Sequence, residues 1–117
     1  MGTRGQVFIK DTGIYLYQHF DAYNLPGKVR KVIEEGKRLD DPEYLARIIF
    51  CEMVKDSKDQ ECGFGIGSNL QDDVVYLVEV DCKKGKVTEM KNAETDEEED
   101  KEKVYSFKEA LKSAGKI

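Results

Sequence analysis

Apolar residues follow two kinds of spacing along this chain, and the spacing predicts five strands and three helices. Residues 6–10 and 14–20 are rich in β-branched and aromatic side chains and flank an Asp-Thr-Gly turn, so they predict an antiparallel hairpin. Residues 73–82 alternate between apolar and polar side chains and predict a further strand. A tight turn at Gly85 joins that strand to a last one over 86–91.

Helical spacing appears in the first half of the chain. Apolar residues at intervals of three and four predict an amphipathic helix over Leu25–Glu35. Residues 41–55, with the sequence DPEYLARIIFCEMVK, predict a second helix that begins with an Asp41 N-cap followed by Pro42. Apolar side chains cover most of its circumference, so we expect this helix to be central to the fold.

A glycine-rich segment over residues 63–70, GFGIGSNL, alternates as a strand with Gly63, Gly65 and Gly67 on one face. A dinucleotide-binding fingerprint needs glycines that open a helix, and these glycines lead into another strand. We therefore expect the glycine face to mark close packing, by the central helix, rather than a phosphate site.

The predicted order of elements is ββααβββα, which favours an α+β fold in a single domain spanning residues 1–117. We expect an antiparallel sheet, made of the N-terminal hairpin and a C-terminal three-strand meander, to pack on the central apolar helix. Residues 92–103 are acidic and of low complexity, so we expect a mobile loop or a frayed entry to a helix there. A capping box of Ser106 and Glu109 predicts that a short last helix follows.

Charge and composition argue against several classes of protein. A net charge of −5 and a pI near 5.0 disfavour general nucleic-acid binding, which needs a basic surface. The chain has no run of about 18 apolar residues and no secretory signal, so we expect a cytoplasmic protein without a membrane segment. The 37% of charged residues, rich in Lys and Glu, resembles proteins from hot environments.

The three cysteines, Cys51, Cys62 and Cys82, lack CxxC spacing and leave one thiol unpaired in any disulfide scheme. With a single histidine, the chain has no ligand spacing typical of a zinc site, so we expect neither a metal nor a cofactor. Buried free thiols are the simpler interpretation, and a Cys62–Cys82 bridge stays open if the source is a thermophile.

The densest run of side chains suited to binding or catalysis is Tyr15, Tyr17, His19, Asp21 and Tyr23. Alternation along the second strand places the first three opposite the apolar residues that point to the core. Tyr-rich faces suit recognition because they give a large contact area at low entropic cost. The leading hypothesis is therefore a non-catalytic binding or interaction domain whose partner is a protein or a small molecule. A further hypothesis is a homodimer formed through this face or a sheet edge.

Glu52 carries the alternative hypothesis, because it falls on an apolar face of the central helix. It is either a buried general acid or base, or half of a structural ion pair. Arg47 points away from it on the helical wheel, so Arg4 is the expected partner. The alternative function is a small hydrolase or nucleotide-modifying enzyme in which His19 acts with Glu52 or a cysteine.

The segments MGTRGQVFIK, GIYLYQH, DDPEYLARIIFCEMVK and GFGI together resemble a group of small uncharacterised proteins from prokaryotic genomes. The resemblance covers the chain up to about Ile66 and implies no activity, cofactor or site residue. The acidic stretch after Cys82 departs from that group.

Overall fold

A six-stranded mixed sheet with three α-helices on one side forms the computed structural model of the protein, which has an α+β fold. The structure describes residues 3–55, 63–71, 74–91 and 101–116. In chain order the elements are β1 (Gly5–Ile9), β2 (Ile14–Gln18), α1 (Leu25–Glu35), α2 (Pro42–Val54), β3 (Phe64–Gly67), β4 (Tyr76–Asp81), β5 (Lys86–Lys91), β6 (Lys101–Ser106) and α3 (Phe107–Ser113).

The helices begin and end where local sequence signals predict. The Asp41 side chain accepts a hydrogen bond from the backbone N–H of Tyr44 at 3.2 Å, which caps α2. Gly36 ends α1 with a φ of 72°, a left-handed conformation that favours glycine. Ser106 and Glu109 form the predicted capping box at the start of α3. These predictions are confirmed.

The strand order is β3-β2-β1-β4-β5-β6, and it corrects the predicted topology. The N-terminal hairpin is confirmed, because β1 and β2 pair antiparallel. The prediction of an all-antiparallel sheet is wrong, since β4 returns beside β1 and runs parallel to it. The predicted meander is also wrong in composition, because β3 pairs with β2 while the C-terminal meander consists of β4, β5 and β6. The order of elements is therefore ββααββββα.

The added strand, β6, begins inside the predicted acidic loop. Residues 101–103 pair with residues 89–91 of β5. Residues 92–100, the remainder of that predicted loop, lie outside the described residues. Every residue from 101 to 103 is charged, which hides the strand from a search for alternating apolar positions. Charged side chains are common on edge strands because they discourage pairing with another chain.

The core lies between the sheet and the helices. On the sheet it consists of fully buried aliphatic residues, and the helices contribute a matching layer. The main members are Val7, Ile9, Leu16, Val78, Val80 and Val87 from the strands, and Leu25, Val29, Ile33, Leu45, Ile49 and Met53 from α1 and α2. The helical faces predicted to be apolar are thus the faces that the sheet buries.

The opposite side of the sheet, called the open face below, is covered by none of the described helices. Strand alternation and the pairing register place on it Gln6, Phe8, Tyr15, Tyr17, Gly65, Gly67, Leu77, Glu79, Thr88, Met90 and Val104. None of the described helices is long and apolar enough to cross a membrane.

Candidate functional site

A cavity of about 370 Å³ lies on the open face beside Tyr17, and it is called the Tyr17 cavity below. Its lining residues belong to three neighbouring strands and to the loop that follows β3. Among the described residues they are Gln6, Tyr17, Gly65, Ile66, Gly67, Ser68, Asn69 and Gln71. None of them is charged, so the cavity offers an aromatic ring, amide groups and a hydroxyl group to a ligand.

Gln6 holds the loop of this cavity in place. Its side chain is only 2% exposed, and both polar atoms of its amide form hydrogen bonds. Nε2 donates to the backbone carbonyl of Asn69 at 3.1 Å, and Oε1 accepts from the backbone N–H of Gln71 at 2.8 Å. A buried amide with both ends paired fixes its neighbours, because breaking either bond leaves a buried polar group unsatisfied. The loop that follows β3 is therefore a fixed wall of the cavity.

The glycines of β3 form the floor of the cavity, which corrects the predicted packing against the central helix. Gly65 lies opposite Tyr17 and Gly67 lies opposite Tyr15 in the register of β2 and β3, on the open face. A Cβ added to Gly65 meets the Tyr17 Cβ at 4.0 Å, and one added to Gly67 meets nothing within 4 Å. The missing side chains leave space beside the two tyrosine rings, and none of the described helices fills it.

Tyr17, His19 and Arg4 form a hydrogen-bonded group at the end of β2. Arg4 Nε donates to His19 Nδ1 at 3.3 Å, and the Tyr17 hydroxyl lies 2.9 Å from the same nitrogen. Because arginine only donates, Nδ1 accepts both bonds and the ring proton lies on Nε2. The exposed His19 ring therefore presents an N–H donor, and the Tyr17 hydroxyl keeps its lone pairs as acceptors.

Phe20 and Gly63 support the position of His19. The His19 N–H donates to the Gly63 carbonyl at 2.8 Å, which continues the ladder between β2 and β3 by one residue. The Phe20 ring meets the edges of the His19 and Phe64 rings, with centroids 6.5 and 5.8 Å apart. Gly63 has a φ of 98°, and a Cβ there would lie 2.6 Å from the Phe20 ring, so only glycine fits.

The other predicted binding residues divide into two groups. Tyr15 lies on the open face and stacks on Phe8, with ring centroids 4.6 Å apart, so it extends the aromatic surface away from the cavity. Asp21 and Tyr23 lie in the turn after β2 and are exposed. Within the described residues, no hydrogen bond, ion pair or ring contact joins either of them to His19.

The predicted pairing of Glu52 with Arg4 is wrong. The Glu52 side chain is 17% exposed, and its carboxylate lies 3.3 Å from Lys31 Nζ of α1 and 4.0 Å from Lys55 Nζ. A hydrogen bond with Lys55 and the Glu52 carboxylate raise the pKa of Lys31. Glu52 thus joins α1 to α2 on the helix side of the sheet, while Arg4 contacts His19. The helical wheel of α2 alone does not show that α1 supplies a lysine here.

Neither described cysteine is paired with a histidine. Cys51 and Cys82 are free thiols, and Cys62 lies outside the described residues. Burial and the charge of Asp81 raise the pKa of Cys82 to about 11, the opposite of what activates a nucleophilic thiol. In the described ranges, no three His, Cys, Asp or Glu side chains form a group that fits a metal ion.

A larger cavity, of about 480 Å³, lies on the helix side of the sheet beside Pro26 and Tyr76. Its rim carries half-buried or exposed charged side chains of both signs, among them Glu89 and Lys103. We prefer the Tyr17 cavity as the candidate site, because buried hydrogen bonds fix its wall and an aromatic ring lies against it.

No protein-family model, curated protein or solved structure matches this chain.

Proposed function

We propose that the protein is a non-catalytic binding domain and that its ligand lies against Tyr17 in the Tyr17 cavity. The observation that carries this proposal is the pairing of an aromatic wall with a side-chain-free floor at Gly65 and Gly67. A flat ring stacks on a tyrosine only where the neighbouring surface allows close approach, and two glycines provide that space.

The lining of the cavity favours a neutral ligand with several hydrogen-bonding groups. Ser68, Asn69 and Gln71 carry hydroxyl and amide side chains that both donate and accept, and none of the lining residues that the structure describes is charged. Tyrosine, serine, asparagine and glycine are also the residues that antibody loops use for adaptable recognition. A nucleoside has the required combination of a flat, polar and uncharged ring, so we propose this class of ligand.

The volume of the Tyr17 cavity is also suitable for a small molecule. Sites for small molecules measure roughly 300–1,000 Å³, and the Tyr17 cavity, at about 370 Å³, falls at the lower end of that range. The net charge of −5 disfavours a polyanion, so the proposal concerns a free nucleoside and not a nucleic-acid strand.

Catalysis is less well supported than binding. The enzyme hypothesis requires His19 beside Glu52 or a thiol, whereas His19 contacts Arg4, Tyr17 and Phe20, and Glu52 contacts lysines between the helices.

A two-dimensional NMR titration tests the proposal. Adenosine, guanosine, cytidine and uridine are each added to the ¹⁵N-labelled protein, and methyl glucoside serves as a neutral ring compound without an aromatic system. We expect at least one nucleoside to shift the amide signals of Tyr17, Gly65 and Gly67. If only methyl glucoside shifts these signals, the ligand is a sugar and not a nucleoside. If none of the compounds shifts them, the Tyr17 cavity is not the binding site.

A further inference from the structure

The two edges of the sheet differ in how they are protected. Glu102 and Lys103 place charges along β6, the edge beyond β5. Charges on an edge strand discourage pairing with another chain. At the opposite edge, β3 has the sequence FGIG, with no charged residue, and its Ile66 is 67% exposed. In the described ranges, no strand pairs with the outer side of β3.

We propose that a second copy of this chain pairs with β3 about a two-fold axis, so that two six-stranded sheets join into one. The proposal goes beyond the ligand-binding function, since it concerns the edge of the sheet and not the open face. β3 pairs with β2 on its inner side only, so a strand can be added at its outer side.

The register of β2 and β3 shows which backbone groups face outward. His19 N–H donates to the Gly63 carbonyl, so Gly63 and His19 form a hydrogen-bonded pair. Such pairs recur at every second residue of an antiparallel ladder. The backbone N–H and C=O groups of Gly65 and Gly67 therefore also form their hydrogen bonds with β2. The N–H and C=O groups of Phe64 and Ile66 therefore point away from β2, toward solvent or a partner strand.

With a two-fold axis at Gly65, all of these outward N–H and C=O groups form hydrogen bonds to the partner strand. Phe64 then lies opposite Ile66 of the partner subunit, and each such pair exchanges both of its hydrogen bonds. The axis passes through a residue without a side chain, so the two strands meet without a clash on the open face. On the helix side, each exposed Ile66 packs beside a phenylalanine ring of the other copy.

A strand of four residues buries less surface than a stable interface, which needs on the order of 1,200–2,000 Å². The neighbouring helix supplies the remainder. An apolar cavity of about 290 Å³ lies between α2 and the β2–β3 edge, and its apolar wall consists of Ile14, Leu16, Ala46, Phe50 and Ile66. It lies on the same side as Ile66, so a second copy that pairs with β3 also covers it.

Charges on α2 favour a second copy as the occupant. Glu43 and Arg47 are exposed on the rim of this cavity, one helical turn apart. A two-fold axis sets the two α2 helices antiparallel, so Glu43 of each copy approaches the arginine of the other copy. A surface that carries one charge of each sign in this way is complementary to itself.

Sedimentation velocity over a concentration series tests the proposal with the full chain. We expect the wild type to sediment with twice the 13.4 kDa mass of one chain at high concentration. Ile66→Pro removes an outward N–H and leaves the hydrogen bonds to β2 in place, and Ile66→Lys adds the kind of charge that protects β6. Both variants should sediment as single chains. Val104→Lys, at the 50% exposed Val104 of β6, is the matched control and should sediment as the wild type does.

Hydrogen exchange adds a residue-level measurement. In the dimer the amides of Phe64 and Ile66 exchange slowly, whereas in a single chain they exchange fast while those of Gly65 and Gly67 stay protected. A wild type that sediments as a single chain throughout would overturn the proposal, as would an Ile66→Lys variant that keeps the double mass. If Ile66→Pro fails to fold by circular dichroism, the Ile66→Lys result decides.

Discussion

Replacing Gln6 with leucine tests whether this residue builds the Tyr17 cavity. The Gln6 amide is 2% exposed and forms two hydrogen bonds to the backbone of the loop, at Asn69 and Gln71. Leucine has a similar volume but bonds to neither group. We expect Gln6→Leu to release the loop from the sheet and to lower the free energy of unfolding.

The magnitude follows from the two lost bonds. Each hydrogen bond contributes about 1 kcal/mol net to stability. We therefore expect the free energy of unfolding to fall by about 2 kcal/mol if the freed backbone groups reach water. Both loop residues are exposed, which makes rehydration easy and keeps the loss near this value. If the loop stayed closed over the leucine, the unsatisfied groups would raise the cost to roughly 4 kcal/mol.

The assay combines a urea titration with hydrogen exchange at the Gln71 amide, which bonds to Gln6 in the wild type. Gln18→Leu is the matched control, because Gln18 is 1% exposed and bonds to Phe20 and Asn24 at a different place in the fold. We expect both variants to lose stability, and only Gln6→Leu to speed exchange at Gln71. A Gln6→Leu protein with wild-type stability and a protected Gln71 amide would refute the reasoning.

Three further predictions concern other parts of the fold. Glu52→Gln should leave the urea midpoint close to that of the wild type, because its lysine partners are exposed, and a large loss would show that this ion pair matters for folding. Tyr105→Phe should stabilise the protein by roughly 1 kcal/mol in thermal or urea unfolding, since the buried Tyr105 hydroxyl lacks a hydrogen-bond partner among the described residues; a loss of similar size would contradict this. Burial alone raises the pKa of Asp81, but the N–H of Lys84 and nearby lysine charges outweigh it and hold the pKa below its usual value. Its stabilisation is present above the unfolded-state pKa and is lost as pH falls through the lowered value, so the stability of Asp81→Asn should vary less with acid pH than that of the wild type.

Local chemistry accounts for the parts of the fold that the sequence predicts. The N-cap at Asp41, the C-cap at Gly36 and the capping box at Ser106 depend on neighbours within a few residues, and all three occur. The hairpin of β1 and β2 is equally local, since a short turn joins its strands. Alternation also places Tyr15 and Tyr17 on the face that the helices leave open.

Contacts between distant segments account for what the sequence does not predict. Nothing in the periodicity of β4 shows that it lies parallel to β1, because alternation fixes the faces of a strand and not its neighbour. The same limit applies to the site, since Gly65 is recognised as the floor of a cavity only when β3 is known to pair with Tyr17 of β2. The partner of Glu52 likewise depends on how α1 packs against α2.

Filling the Tyr17 cavity from its floor tests the central claim most directly. Gly67→Val places a side chain where an added Cβ meets nothing within 4 Å, so the fold should tolerate it and β-propensity should favour it. Wild type, Gly67→Val and the control Thr88→Val, on the same open face of β5, are titrated side by side with the nucleoside that gives the largest shifts. The account predicts that the wild type and Thr88→Val bind with the same affinity and that Gly67→Val binds at least tenfold more weakly, with a thermal stability equal to or above that of the wild type. Equal affinity of all three proteins would contradict it.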